Sequence, residues 1–243
     1  MYANMEGGGL QVLRNLSVVI LISCSCLVAK PPKVYVPVVT DEHVDFVSGA
    51  ISVTGASGQL NVESWDGPGV QITVTRSTYR TGTPKDLDRA RVELGRYHVT
   101  ADKKGASQLD IRTDAPRYGF FARLFHQTPD VQVDYRIRVP RDAKLTLQDR
   151  KGDIVVTGVS GDIDARVHEG DIVVQLPPAG AYSFDAKCGL GGIYSDFEGS
   201  DRIAHAISER FTANGSGAAK KIYLRSGVGG ITIQKESAPT VTK

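Results

Sequence analysis

Lys151-Gly152-Asp153-Ile154, Ser160-Gly161-Asp162-Ile163 and Glu169-Gly170-Asp171-Ile172 recur at intervals of nine residues, and this beat decides the fold. Leu145 and Leu147 stand nine residues ahead of Ile154 and Val156. Phe184 precedes Ile193 of Gly191-Gly192-Ile193 by the same step, and Ile222 and Leu224 are echoed by Ile231 and Ile233. The beat also runs early, in Gly49-Ala50-Ile51-Ser52-Val53 and Gly58-Gln59-Leu60-Asn61-Val62. Each unit is a glycine-containing turn followed by about five residues with apolar side chains at alternate positions, the mark of a strand with one buried face. A helix is excluded, because Ile154, Val156 and Ile163 do not share a 3.6-residue face and the glycines weaken it.

Nine residues are too few for a crossover between adjacent parallel strands of one sheet. Successive units must either pair as antiparallel hairpins, giving an antiparallel β-sandwich, or turn a corner and stack on later units. The second arrangement is a β-solenoid with Ile, Val and Leu filling its interior. Asp after Gly hydrogen-bonds turn backbone and faces water.

Gly58-Gln59-Leu60-Asn61-Val62-Glu63-Ser64-Trp65-Asp66-Gly67, Tyr135-Arg136-Ile137-Arg138-Val139-Pro140 and the Gly-Asp-Ile units that follow resemble the "putative adhesin" family of bacterial envelope proteins. That family is built from β-strand repeats and is a domain of unknown function. The resemblance covers roughly residues 45–235. It implies a single-stranded right-handed β-helix, which favours the solenoid, and it supplies no catalytic residue.

The 243 residues carry a formal net charge of +2, with 41% apolar and 23% charged side chains. This composition can bury a core, and its scattered basic residues leave no nucleic-acid footprint. Arg14 precedes a short apolar run, Leu16 to Ile22, and then small residues, the layout of a secretory signal. A spanning helix needs about 20 apolar residues, so this run is not a transmembrane anchor.

Within it, Leu21-Ile22-Ser23-Cys24 resembles the lipobox of bacterial lipoproteins. The resemblance implies cleavage before Cys24 and lipidation of its sulfur, with attachment to a membrane through two or three chains. Cys26 fits less well, since Ser23 would then occupy the position that prefers Leu. Residues 1–11 contain Glu6 and no cationic side chain, which points to a start codon at Leu10 or Val12. We therefore expect a signal peptide over 1–23, a lipidated Cys24 with a tether over 24–44, a β-repeat domain over 45–235 and a tail over 236–243.

Two segments break the beat. Residues 84–95 predict one short helix, with Pro84 in the first turn, Leu87, Ala90 and Leu94 on one face and Gly95 at the end. Its expected role is a cover over an open end of the strands. Residues 114–130 are an insertion in which Arg117, Tyr118, Phe120, Phe121, Arg123, Phe125 and His126 crowd aromatic and cationic groups together. This loop either contacts a partner or folds its aromatics back over the core.

The remaining chemistry is sparse. His43, His98, His126, His168 and His205 show no metal-protease spacing, and neither a nucleophile elbow nor a phosphate loop is present. Cys188 reads as a small core residue. The acidic series Asp153, Asp162, Asp164, Glu169 and Asp171 has too few glycines for calcium-binding nonapeptide repeats. A glycosidase would need two of these acids about 5–9 Å apart in a cleft. The expected function is a non-enzymatic lipoprotein of the cell envelope that needs no metal or cofactor and presents a rigid scaffold to an envelope polymer or protein. The alternative is a carbohydrate-active enzyme on a β-helix.

Overall fold

The computed structural model describes residues 32–55, 57–105, 107–116, 130–198, 208–215 and 219–236, together with the backbone of 201–204. These all belong to one compact unit, 32–243. Cys24 and residues 117–129 lie outside the described residues.

The alternation of apolar side chains becomes strands that form two mixed sheets. In chain order they begin β1 (Lys33–Val44), β2 (Ala50–Thr54), β3 (Leu60–Trp65) and β4 (Val70–Thr81). Helix α1 (Pro84–Leu94) leads to β5 (His98–Lys103), β6 (Gln108–Asp114) and β7 (Val131–Pro140). The Gly-Asp-Ile region supplies β8 (Lys144–Lys151), β9 (Ile154–Thr157), β10 (Ile163–Glu169) and β11 (Ile172–Leu176). The chain continues through β12 (Tyr182–Leu190), β13 (Ile193–Ser195), β14 (Asp201–Ala204) and β15 (Glu209–Ala213). It ends with β16 (Lys220–Val228) and β17 (Ile231–Lys235).

Consecutive nine-residue units fall on opposite sheets. β8 and β10 lie parallel in the nine-stranded sheet with Leu145 opposite Ile163. β9 and β11 lie parallel in the eight-stranded sheet with Ile154 opposite Ile172. Leu147, Ile154, Val156, Ile163, Ala165, Ile172 and Val174 meet between the sheets and are buried. The corners are glycine because the backbone turns there with φ near +140° while the layers are in contact. A Cβ on Gly152 (φ 138°) would lie 1.6 Å from Gly58 O, and one on Gly170 (φ 145°) 2.1 Å from Gly152 O.

The expected solenoid is not what the chain forms. The strand order is β1-β4-β7-β3-β9-β11-β17-β13 in one sheet and β14-β15-β12-β16-β10-β8-β2-β6-β5 in the other. The last pair, β16 and β17, thus lies between β10–β11 and β12–β13 instead of at the end of a coil. Antiparallel β1, β4, β5, β14 and β15 lie toward the sheet edges. The nine-residue spacing dictates the corner, but it leaves open which earlier strand a later one will pair with. The result is a sandwich of two mixed sheets, and the wholly antiparallel alternative is corrected as well.

The stretch expected as a tether over 24–44 is in part strand. Its second half is β1, paired with β4 along its whole length from Lys33 opposite Thr81 to Val44 opposite Val70. Helix α1 begins as the sequence predicts. Thr83, in an extended conformation, caps it by accepting from Asp86 N–H, and Pro84 opens it. Ala90 and Leu94 are buried, and Glu93 pairs with Arg80 of β4.

Candidate functional site

The inward side chains of β3 are Leu60 and Val62, so Asn61, Glu63 and Trp65 point away from the core on the eight-stranded sheet. The register sets Trp65 beside Pro140 and Glu63 beside Arg138, with Gln71 of β4 on the far side of Arg138. His43 of β1 is in turn opposite Gln71.

A cleft of about 440 Å³ opens at Trp65, lined by Phe46, Val47, Pro68, Pro140 and Arg141 among others. The indole is held in place: Nε1–H donates to Gly69 O at 3.1 Å, and the His43 ring meets it edge-on at 6.5 Å between centroids. Gly67 passes so close that a Cβ there would stand 2.3 Å from the indole. Val47, 89% exposed, forms the outer lip. Across the cleft Arg141 donates twice to the Asp66 carboxylate, at 2.8 and 3.3 Å. These hydrogen bonds and the guanidinium charge hold the Asp66 carboxyl below its usual range.

A polar hollow of about 170 Å³ opens on the same face, lined by Gln71, Thr73, Arg136 and Arg138. Arg136 donates to both oxygens of Glu63 at 3.2 Å, and Arg138 donates to Gln71 Oε1 at 3.2 Å. A fixed aromatic plate thus borders a row of outward-pointing hydrogen-bonding groups on a rigid sheet. Such a face suits a ligand with an apolar flat side and a polar edge.

The acids weighed for catalysis have other partners. Asp153 accepts from Asp171 N–H at 2.9 Å, and Asp171 accepts from Gly230 N–H at 2.6 Å. Asp162 accepts from Lys221 N–H at 3.0 Å, while Asp164 pairs with Arg166 and Glu169 with Lys151. Each corner carboxylate therefore ties its layer to the next. Among the described residues, no three of His, Cys, Asp and Glu are placed to hold a metal ion. Cys188 is a free, buried thiol whose Sγ donates to Gly229 O.

One carboxylate does enter the core. Asp149 continues the inward series of Leu145 and Leu147 and is buried at the corner of β8. It accepts from Arg150 N–H at 2.6 Å and Lys151 N–H at 3.3 Å. Burial nevertheless pushes its pKa up to about 6. Gly55 leaves it room, since a Cβ there would come within 2.6 Å of Asp149 Oδ2. Nearby, desolvation pushes the Tyr135 phenol up to about 12, and its hydroxyl hydrogen-bonds Thr113.

The residues predicted from sequence as a site, Cys24 and the loop group Arg117, Tyr118, Phe120, Phe121, Arg123 and Phe125, all lie outside the described residues. Trp65 carried no functional assignment in the sequence. Its signal was its place as the chain's one tryptophan, just before the Asp66-Gly67 turn.

No family model and no curated protein matches the chain. Solved structures do. A protein of Clostridium sporogenes described as a putative cell adhesion protein matches with a TM-score of 0.53 at 11% identity, over 82% of this chain and 100% of that one. A putative adhesin of Bacteroides fragilis matches over 82% of this chain and 97% of its own, at 10% identity and a TM-score of 0.27. A putative lipid binding protein of Parabacteroides distasonis does so at 10% identity and 0.26, with the same coverage of 82% and 97%. The first establishes a shared all-β fold; the other two are too loosely superposed to carry an argument. No helix among the described residues is long and apolar enough to cross a membrane.

Proposed function

We propose that this chain is a non-enzymatic binding protein of the bacterial cell envelope. In this reading it is exported and held to a membrane by a lipid on Cys24, and it engages an envelope polysaccharide through the outer face at Trp65. The observation that carries the reading is that the Trp65 cleft and the Gln71, Arg136 and Arg138 hollow open on one outer face of the eight-stranded sheet. Pyranose rings present apolar faces and hydroxyl edges, which match an indole beside fixed donors and acceptors. The adhesion named for the Clostridium sporogenes protein agrees in kind with a binding role. The insertion 114–130 is a second proposed contact surface, for a protein partner.

The chain's one tryptophan is its own probe. Titration with soluble glycan strands released from peptidoglycan should give a saturable change in Trp65 emission. Arg138→Ala should weaken the response without altering the melting temperature by more than a few degrees. An unchanged emission spectrum, together with equal retention of wild type and Trp65→Ala on immobilised glycan, would refute the assignment.

A further inference from the structure

Strand β4 changes character halfway along its inner face. Val70, Ile72 and Val74 point inward and are buried, and the same alternation then turns Arg76, Thr78 and Arg80 inward. Thr78 donates to Asp130 O, and Arg80 pairs with Glu93 of α1, so both have a structural partner. Arg76 is different. It stands between Val38 of β1 and Val133 of β7. Its Nη1 donates to Tyr97 O at 2.8 Å and its Nη2 to Thr40 Oγ1 at 3.1 Å. Its Nε is buried without an acceptor, and no carboxylate among the described residues pairs with the guanidinium. The bond to Tyr97 fastens the turn after α1, but a neutral donor would serve there, and an inward charge without a counter-ion costs stability.

Arg76 lies in a cavity of about 340 Å³ that opens between β1, β4 and β5. Ile72, Val74 and Val99 give it apolar walls, and Glu42, opposite Ile72 on the same face of β1 as Val38 and Thr40, stands at its rim. Glu42 is exposed and is in no ion pair among the described residues. Unlike charges therefore occupy one small cavity without pairing with each other: a cation inside, an anion at the rim, hydrocarbon between. His98 also lines the cavity, from the β5 side.

We propose that this cavity binds a small zwitterion with an apolar body, of the chemical class of an apolar α-amino acid. The carboxylate lies against the Arg76 guanidinium and supplies its missing counter-charge, because a guanidinium offers planar donors matched to a carboxylate. The ammonium group faces Glu42. The side chain rests on Ile72, Val74 and Val99. The volume suits a ligand of this size and is distinct from the Trp65 cleft, so the site stands or falls independently of polysaccharide binding.

The test is calorimetric titration of the full chain with three probes of one shape: leucine, leucinamide and 4-methylpentanoate. Leucine should bind saturably, with each singly charged analogue at least about tenfold weaker, as expected when one desolvated ion pair is forfeited. Arg76→Gln should weaken leucine by a similar factor and leave leucinamide unchanged. Val99→Trp, which adds bulk to an apolar wall of the cavity, should abolish binding of all three probes. The proposal is overturned if leucine gives no saturable heat, if leucinamide binds as tightly as leucine, or if Arg76→Gln or Val99→Trp binds leucine like the wild type.

Discussion

The Asp153 carboxylate accepts a 2.9 Å hydrogen bond from the backbone N–H of Asp171, one layer further along the stack. Asp171 repeats the contact toward Gly230 at 2.6 Å. The corner acids thus bind backbone amides that the sheet ladders leave over. A charged acceptor on an amide contributes about 1.5–3 kcal/mol, less where water competes. Asp153→Ala should cost about 1 kcal/mol in urea unfolding. Asp153→Asn keeps an acceptor oxygen and should cost under half of that.

Glycine at the corners answers to contact as well as to conformation. Gly152→Ala combines φ +138° with a Cβ 1.6 Å from Gly58 O, so the stack must open there. Gly105→Ala shares the positive φ, at +72°, but has nothing within 4 Å. The first should destabilise by more than about 3 kcal/mol and the second by about 1 kcal/mol, compared by thermal melts of the two variants.

Asp149 gives the fold a pH dependence of its own. Its folded pKa, about 6, stands above the ordinary 3.8, so the folded chain holds this proton more tightly than the unfolded one. The ionised group therefore costs stability above pH 6, and the cost disappears as pH falls through 6 toward 3.8. Asp149→Asn should be more stable than wild type by about 2 kcal/mol at pH 8. The advantage should vanish near pH 4, measured by denaturant titration at both values.

Arg141 and Asp66 make a bidentate but exposed pair, and water and salt screen such pairs so that they add little to stability. Arg141→Ala should leave the urea midpoint nearly unchanged while altering the glycan response of Trp65. A large loss of stability would show that the pair organises the turn and does not border a ligand.

The proposed membrane attachment rests on the lipobox resemblance. Cys24→Ala should move the protein from the membrane fraction to the soluble fraction after cell fractionation, since the run ahead of it is too short to span. Deletion of 117–129 should reduce recovery of partners from envelope extract. Equal recovery would remove the loop from consideration as a contact surface.

By itself the sequence determined what depends on neighbouring residues. Alternation assigns Ile154, Val156, Ile163 and Ile172 to the interior, and Gly152 and Gly170 mark the corners, because successive strand side chains point to opposite faces. Thr83, Pro84 and the Ala90–Leu94 face likewise specify α1 through its first turn and its buried stripe. Only the tertiary structure decided which strands became neighbours. Every strand offers the same backbone donors and acceptors, so nothing local directs β16 and β17 between β10–β11 and β12–β13. The same choice turned the Gly-Asp acids into ties between layers. It also brought Trp65, Arg138 and Gln71 from three separated strands onto one face.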